Sequence, residues 1–282
     1  MKQIYIVGFF LFFLPACDWL DKKSMHGRHK HEVVTITHNV SDRAMLTLNA
    51  IDGSILVKGV DSPTVTIKAT KFGLPEDIQQ LTISSHLSHE AVVITTEDMR
   101  IKTFMGIKYP LNLHNIYSHV DYEVELPRTN SLYIRNKRGD ISLQNLDGDL
   151  HLFVDRGDVA IVGCKGVIDL GIDHGNIKAT DIINTFSATI DQGKIDIRVK
   201  ELPQRRGPFL SVDINNGDIS VGLPKNPNAF ILAASKGSIH SEFPLHLQTS
   251  WIRRSKSIKG VLGKGGPEID LRAKRGTIEI QK

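Results

Sequence analysis

At 282 residues the chain can form one large domain or two medium ones, and either buries a sizeable core. Charged residues at 23% and hydrophobic residues at 40% describe a folded chain and exclude a disordered one. The formal net charge of +4 suits contact with an anionic surface and is too small to point to nucleic acid as a partner.

The chain opens on Lys2, an apolar run from Ile4 to Leu14, and then Leu14-Pro15-Ala16-Cys17. The run is too short to span a bilayer as a helix. Leu14, Ala16 and Cys17 resemble the lipobox of bacterial lipoproteins, from which Pro15 departs; an ordinary secretory signal cleaved near Ala16 is the alternative. The resemblance implies a signal peptide at 1–16, lipidation at Cys17 and a tether over 17–32. It places the protein in the bacterial cell envelope, held by its lipid anchor in the outer membrane or on the periplasmic side of the inner membrane. With Cys17 acylated, Cys164 is the remaining thiol, so no intramolecular disulfide is expected. Within the tether His26, His29 and His31, with His38 beyond it, carry imidazoles that suit a borderline metal ion, but no scaffold is expected to hold them. No metal or cofactor site is assigned.

Strand-like alternation begins at Val34-Thr35-Ile36 and recurs at Leu46 to Leu48, Ile55 to Val57, Val65 to Ala69, Leu81 to Ile83 and Ala91 to Thr95. Residues 97–118 are less regular, with room for a short helix or loop. Val120, Tyr122, Val124 and Leu126 then alternate cleanly up to Pro127, and the whole of 33–130 reads as an N-terminal β region continuous with the repeats of 131–282.

Those repeats have a clear period. Arg138-Gly139-Asp140-Ile141, Arg156-Gly157-Asp158-Val159, His174-Gly175-Asn176-Ile177 and Gln192-Gly193-Lys194-Ile195 return every 18 residues. Later copies at Gly217, Gly237 and Gly276 are more widely spaced, which marks 200–210 and 244–260 as loop insertions. Each unit supplies short strands joined by corners where Gly accepts positive φ and Asp or Asn bonds its own turn. Aliphatic residues two and four places beyond each Gly share a face by strand periodicity and require a common core. Strands stacked at this period predict an all-β solenoid with rungs of about 18–20 residues, an antiparallel meander or sandwich being the competing arrangement.

Val120-Asp121-Tyr122-Glu123-Val124-Glu125-Leu126-Pro127, together with Gly139-Asp140, Gly148-Asp149, Gly157-Asp158, Gly175-Asn176 and Gly217-Asp218, resembles the bacterial family of candidate adhesins built from β-repeat domains. The resemblance covers about 33–282. It implies a right-handed, single-stranded β-helix-like fold, and the family defines no catalytic residues. The chain departs from that family in 97–118, in the corner from Pro203 to Pro208 and in its basic end.

Three constellations of polar residues stand out. Arg138-Gly139-Asp140 and Arg156-Gly157-Asp158 spell a tripeptide read by some cell-surface receptors, but Gly-Asp is already the corner unit. Asp155, Asp173 and Asp191 form a carboxylate ladder at the 18-residue period. A basic end carries Arg253, Arg254, Lys256, Lys259, Arg272, Lys274 and Arg275, which suit an anionic glycan or lipid surface if they share a face. With no phosphate loop, Cys-Xaa-Xaa-Cys or His-Glu-Xaa-Xaa-His motif, the expected function is a non-enzymatic, adhesin-like binding or scaffold module. Its partners would be the membrane, an anionic glycan or lipid, or another envelope protein. A β-helix polysaccharide lyase or hydrolase is the alternative.

Overall fold

The computed structural model describes residues 30–88, 91–99, 101–104, 107–110, 118–245, 247–250 and 255–282. The tether histidines His26 and His29, and Cys17, Arg253 and Arg254, lie outside them. Among the described residues the chain is all-β but for one short helix, Pro75–Ile78. Among the described residues no helix is long and apolar enough to cross a membrane.

Twenty-one strands join in one sheet whose two arcs enclose a single aliphatic core. The first arc runs, in spatial order, through Leu81–Leu87, Ala91–Asp98, Met45–Asn49, Ser131–Arg138, Leu150–Arg156 and Ile168–His174. The second runs through Lys30–Asn39, Thr64–Gly73, His119–Pro127, Ile55–Val60, Ile141–Gln144, Val159–Val162 and Ile177–Ile182. The long strands Phe186–Val199 and Gly207–Gly222 then pass through both arcs and make the sheet continuous. Beyond them Pro267–Arg275, Ala229–Ser235, Ser255–Leu262 and Leu247–Ser250 complete the first arc, and Thr277–Gln281 and Ser238–Ser241 the second.

The 18-residue interval is written into the pairing. Val159 lies beside Ile177, and Ile177 beside Ile195, in parallel register. All three side chains are buried, as the period-2 pattern requires. Their neighbours Ala160, Lys178 and Asp196 point outward.

The right-handed single-stranded β-helix, and with it the solenoid, is nevertheless corrected. The sheet is mixed in direction, mostly closed and barrel-shaped, and its strand order is not chain order. Met45–Asn49 sits between Ala91–Asp98 and Ser131–Arg138, so strands far apart in the chain are neighbours in the sheet. Pro267–Arg275 is likewise inserted between Gly207–Gly222 and Ala229–Ser235. Antiparallel pairs occupy both ends of the sheet, Lys30–Asn39 with Thr64–Gly73 and Leu81–Leu87 with Ala91–Asp98 at one, Ala229–Ser235 with Ser255–Leu262 at the other. Such pairs take up ladder edges that a simple stack would leave open. Two local expectations are corrected as well. In the stretch read as irregular, Ile101–Phe104 pairs with Ile107–Pro110 as a separate two-stranded antiparallel sheet. The expected loop at 244–260 holds the antiparallel strands Leu247–Ser250 and Ser255–Leu262.

Candidate binding face

One corner frames the outer surface. Gly53, Gly139, Gly157, Gly175, Gly193, Gly217, Gly276 and Gly237 stack there, each from Gly139 onward set so close that a Cβ would strike the carbonyl oxygen of the neighbouring glycine. Gly175 also holds φ at 149°, a conformation side chains resist. The sequence pattern points to aspartates that bond their own turns; the structure shows them reaching to the next repeat instead. Asp140 Oδ1 accepts the Asp158 N–H at 2.9 Å, Asp158 Oδ1 accepts the Asn176 N–H at 2.8 Å, and Asn176 Oδ1 accepts the Lys194 N–H at 3.0 Å. Asp149 accepts the Val167 N–H at another corner in the same way. Each carboxylate occupies a backbone donor that the corner leaves without a ladder partner.

Between the corners, the outward residues of the first arc form columns across the strands. Arg135, Phe153 and Gly171 stand side by side in adjacent strands. Phe153 is 40% exposed, and it shares this outer surface with polar and charged side chains. Its ring leans over Gly171, where a Cβ would lie 3.2 Å from Cδ1. Tyr133 packs against it at 5.8 Å between centroids, and the Arg135 guanidinium lies 6.0 Å from the ring centre. Alongside, Asp155, Asp173 and Asp191 occupy successive strands about 4.8 Å apart. Asn215 donates from Nδ2 to Asp191 Oδ1 at 2.8 Å. Lys137 flanks the ladder at one side, and the groups together line a shallow cleft of about 650 Å³.

Of the basic end, Lys259, Arg272 and Lys274 project from this same outward face, while Arg275 is exposed at the glycine corner. Lys274 extends the carboxylate column, beside Asn215. Arg272 is committed to Asp270 through two hydrogen bonds of 3.1 and 2.6 Å, which raise its pKa further above the ordinary value. Lys256 has the parity of buried Ile258 and is half-buried, so it does not join the others. Arg138 of the first Arg-Gly-Asp is clamped by Asp52 at 2.6 and 2.7 Å.

Cys164 is buried, and desolvation pushes its thiol up, away from the reactive thiolate. His38 is buried against Ser85, apart from His31, which neighbours Phe72. Among the described residues no three His, Cys, Asp or Glu converge as a metal site. Tyr133, Arg135 and Phe153 belong to no motif and were not expected from the sequence. Writing the strands in 18-residue register would have exposed them, because Phe153 then falls next to Gly171.

A family model described as Toastrack DUF4097 matches residues 34–281, so the chain belongs to that family. No curated protein matches it significantly. Among solved structures it is similar to a candidate cell adhesion protein from Clostridium sporogenes, at 16% identity and a TM-score of 0.39 over 90% of this chain and 99% of that one. It is also similar to a candidate adhesin from Bacteroides fragilis, at 14% identity and 0.35 over 88% and 97%. A third similar structure is a candidate lipid binding protein from Parabacteroides distasonis, at 14% identity and 0.30 over 91% and 98%.

Proposed function

We propose, taking the chain as a member of the Toastrack DUF4097 family, that it is a non-catalytic, adhesin-like binding module of the cell envelope. Its ligand on the outer face is a polyhydroxylated glycan. The observation that carries this reading is Phe153, an exposed ring backed by Tyr133 and Arg135 and bordered by the Asp155, Asp173 and Asp191 ladder. Sugar rings stack their C–H faces on aromatic rings, and carboxylates accept hydrogen bonds from sugar hydroxyls. All three aspartates are exposed on the outer face of the sheet, whereas a proton-donating carboxylic acid needs apolar enclosure. Binding without turnover fits that setting.

Lipidation of Cys17 would hold this module on an envelope membrane. Lys259, Lys274 and Arg275, with Arg253 and Arg254, would add contact with anionic lipid or glycan, Arg272 being paired to Asp270. The test is co-sedimentation of wild-type protein and Phe153→Ala with cell wall and with uncharged polysaccharide. Saturable binding, weakened about ten-fold by the substitution, is expected. No binding by the wild type, equal binding by the variant, or glycan turnover abolished by Asp173→Asn would overturn the reading.

A further inference from the structure

Three connections between strands meet in space. The loop before Gly207, the segment from Leu223 to Asn228 and the turn from Gly263 to Gly266 converge on one cleft of about 470 Å³. The first of them, 200–206, is longer than the repeat corner from Gly163 to Val167 between Val159–Val162 and Ile168–His174. Together the three connections wall a concavity.

Its walls are conformationally restricted. Pro203, Pro224 and Pro227 restrict φ in two of the walls, and Pro227 is buried. The third wall is a turn closed by the Gly265 N–H bonding to the Leu262 carbonyl at 3.0 Å. Gly263 and Gly265 take φ of 56° and 74° there. Asn228 Oδ1 accepts the Lys264 N–H at 2.8 Å, pinning that turn to the segment opposite and leaving the Asn228 amide hydrogens as the groups it can donate. Gly266 lies so close to the Asn228 carbonyl that no side chain fits between them. Two ammonium groups complete the lining, Lys200 from the first loop and Lys264 from the turn, against one carboxylate, Glu201.

We propose that this cleft binds a phosphate group carried by an envelope molecule, with Lys200 and Lys264 supplying charge and Asn228 a directional donor. Ammonium groups from two separate loops can reach different oxygens of a tetrahedral anion, whereas a planar carboxylate offers them fewer directions. A headgroup phosphate of a lipid and a phosphate ester on a glycan share this chemistry. The cleft is independent of the Phe153 surface, so either site can fail without the other.

The test uses the full chain in uncharged detergent micelles, titrated with inorganic phosphate and followed by amide chemical shifts. Saturable shifts at 200–206, 223–228 and 263–266 are expected, weakened about ten-fold in Lys200→Gln/Lys264→Gln. Asn228→Ala provides a second variant, and unchanged amide shifts in the glycine corner verify folding of both. Micelles doped with phosphatidylglycerol and, separately, a soluble sugar phosphate then distinguish the two sources. Each should compete with inorganic phosphate if it presents the group in an accessible form, and competition by either one supports the site. Shifts that never saturate, equal affinity in the double variant, competition by neither source, or tighter binding of acetate than of phosphate would overturn it.

Discussion

His38 Nε2 and Ser85 Oγ lie 2.7 Å apart, joining the outermost strand of one arc, Lys30–Asn39, to the outermost strand of the other, Leu81–Leu87. The contact is a lateral closure of the sheet that no ladder provides. Burial lowers the His38 pKa from its ordinary 6.5, so the folded protein keeps the ring neutral where the unfolded chain would protonate it. The stability contributed is fully present above pH 6.5 and is lost as pH falls from there through the lower folded value. Thermal melts of wild type and His38→Gln between pH 8 and about 5 check this. The wild type should lose more stability on acidification, and parallel curves would remove His38 from the account.

Ile177 is central to the parallel register and nearly fully buried. Ile177→Asp would place an unpaired carboxylate among aliphatic side chains and cost several kcal/mol. Ile177→Val should cost only about 1 kcal/mol. Urea denaturation of the two variants should separate them clearly.

Asp158 accepts hydrogen bonds from both the backbone and the side-chain nitrogen of Asn176. Asp158→Ala removes them and leaves the corner N–H without its partner, at a cost of about 1–2 kcal/mol. Gly175→Ala adds a strained φ to a clash with the Gly157 carbonyl and should cost more, about 2–3 kcal/mol. Hydrogen exchange should report the first loss most strongly at the Asn176 amide.

The basic end is tested by changing Lys259, Arg272, Lys274 and Arg275, together with Arg253 and Arg254, to Ser in a chain beginning at Lys30. Co-sedimentation with anionic vesicles should fall roughly ten-fold at low salt, and the wild-type signal should fall as salt is raised. Restoring Asp270-bound Arg272 alone should recover little, because its charge is already paired.

Labelling with a radioactive fatty acid checks Cys17. Incorporation by wild type and none by Cys17→Ala is expected, with identical processing of both counting against the anchor.

Much of the local structure was legible because glycine spacing and aliphatic alternation report short-range geometry. The corner at Gly175 and the inward set of Val159, Ile177 and Ile195 could be written down from the sequence. Global strand order could not. Met45–Asn49 has the same alternating pattern as the strands on either side of it, and nothing in that pattern says that a much later strand, Ser131–Arg138, will be its neighbour. The binding face was hidden for a related reason. Tyr133, Arg135 and Phe153 are scattered outward residues until the strands are placed side by side, and the loop cleft joins three segments far apart in the chain.

The glycine corner has a direction. From Gly139 through Gly217, each glycine rests on the carbonyl of the one earlier in the chain, and the side chains of Asp140, Asp158 and Asn176 receive the amide of the repeat that comes later. An earlier repeat thus presents a finished seat, carbonyl and acceptor together, before the next arrives. A ribosome delivers the repeats in that same order, so each new corner meets a template already in place. Reversing the order of dependence at the far end, Gly237 rests on Gly276, which is synthesised after it. The corner at Gly237 must therefore wait for a later segment, and its seat is supplied from ahead rather than from behind.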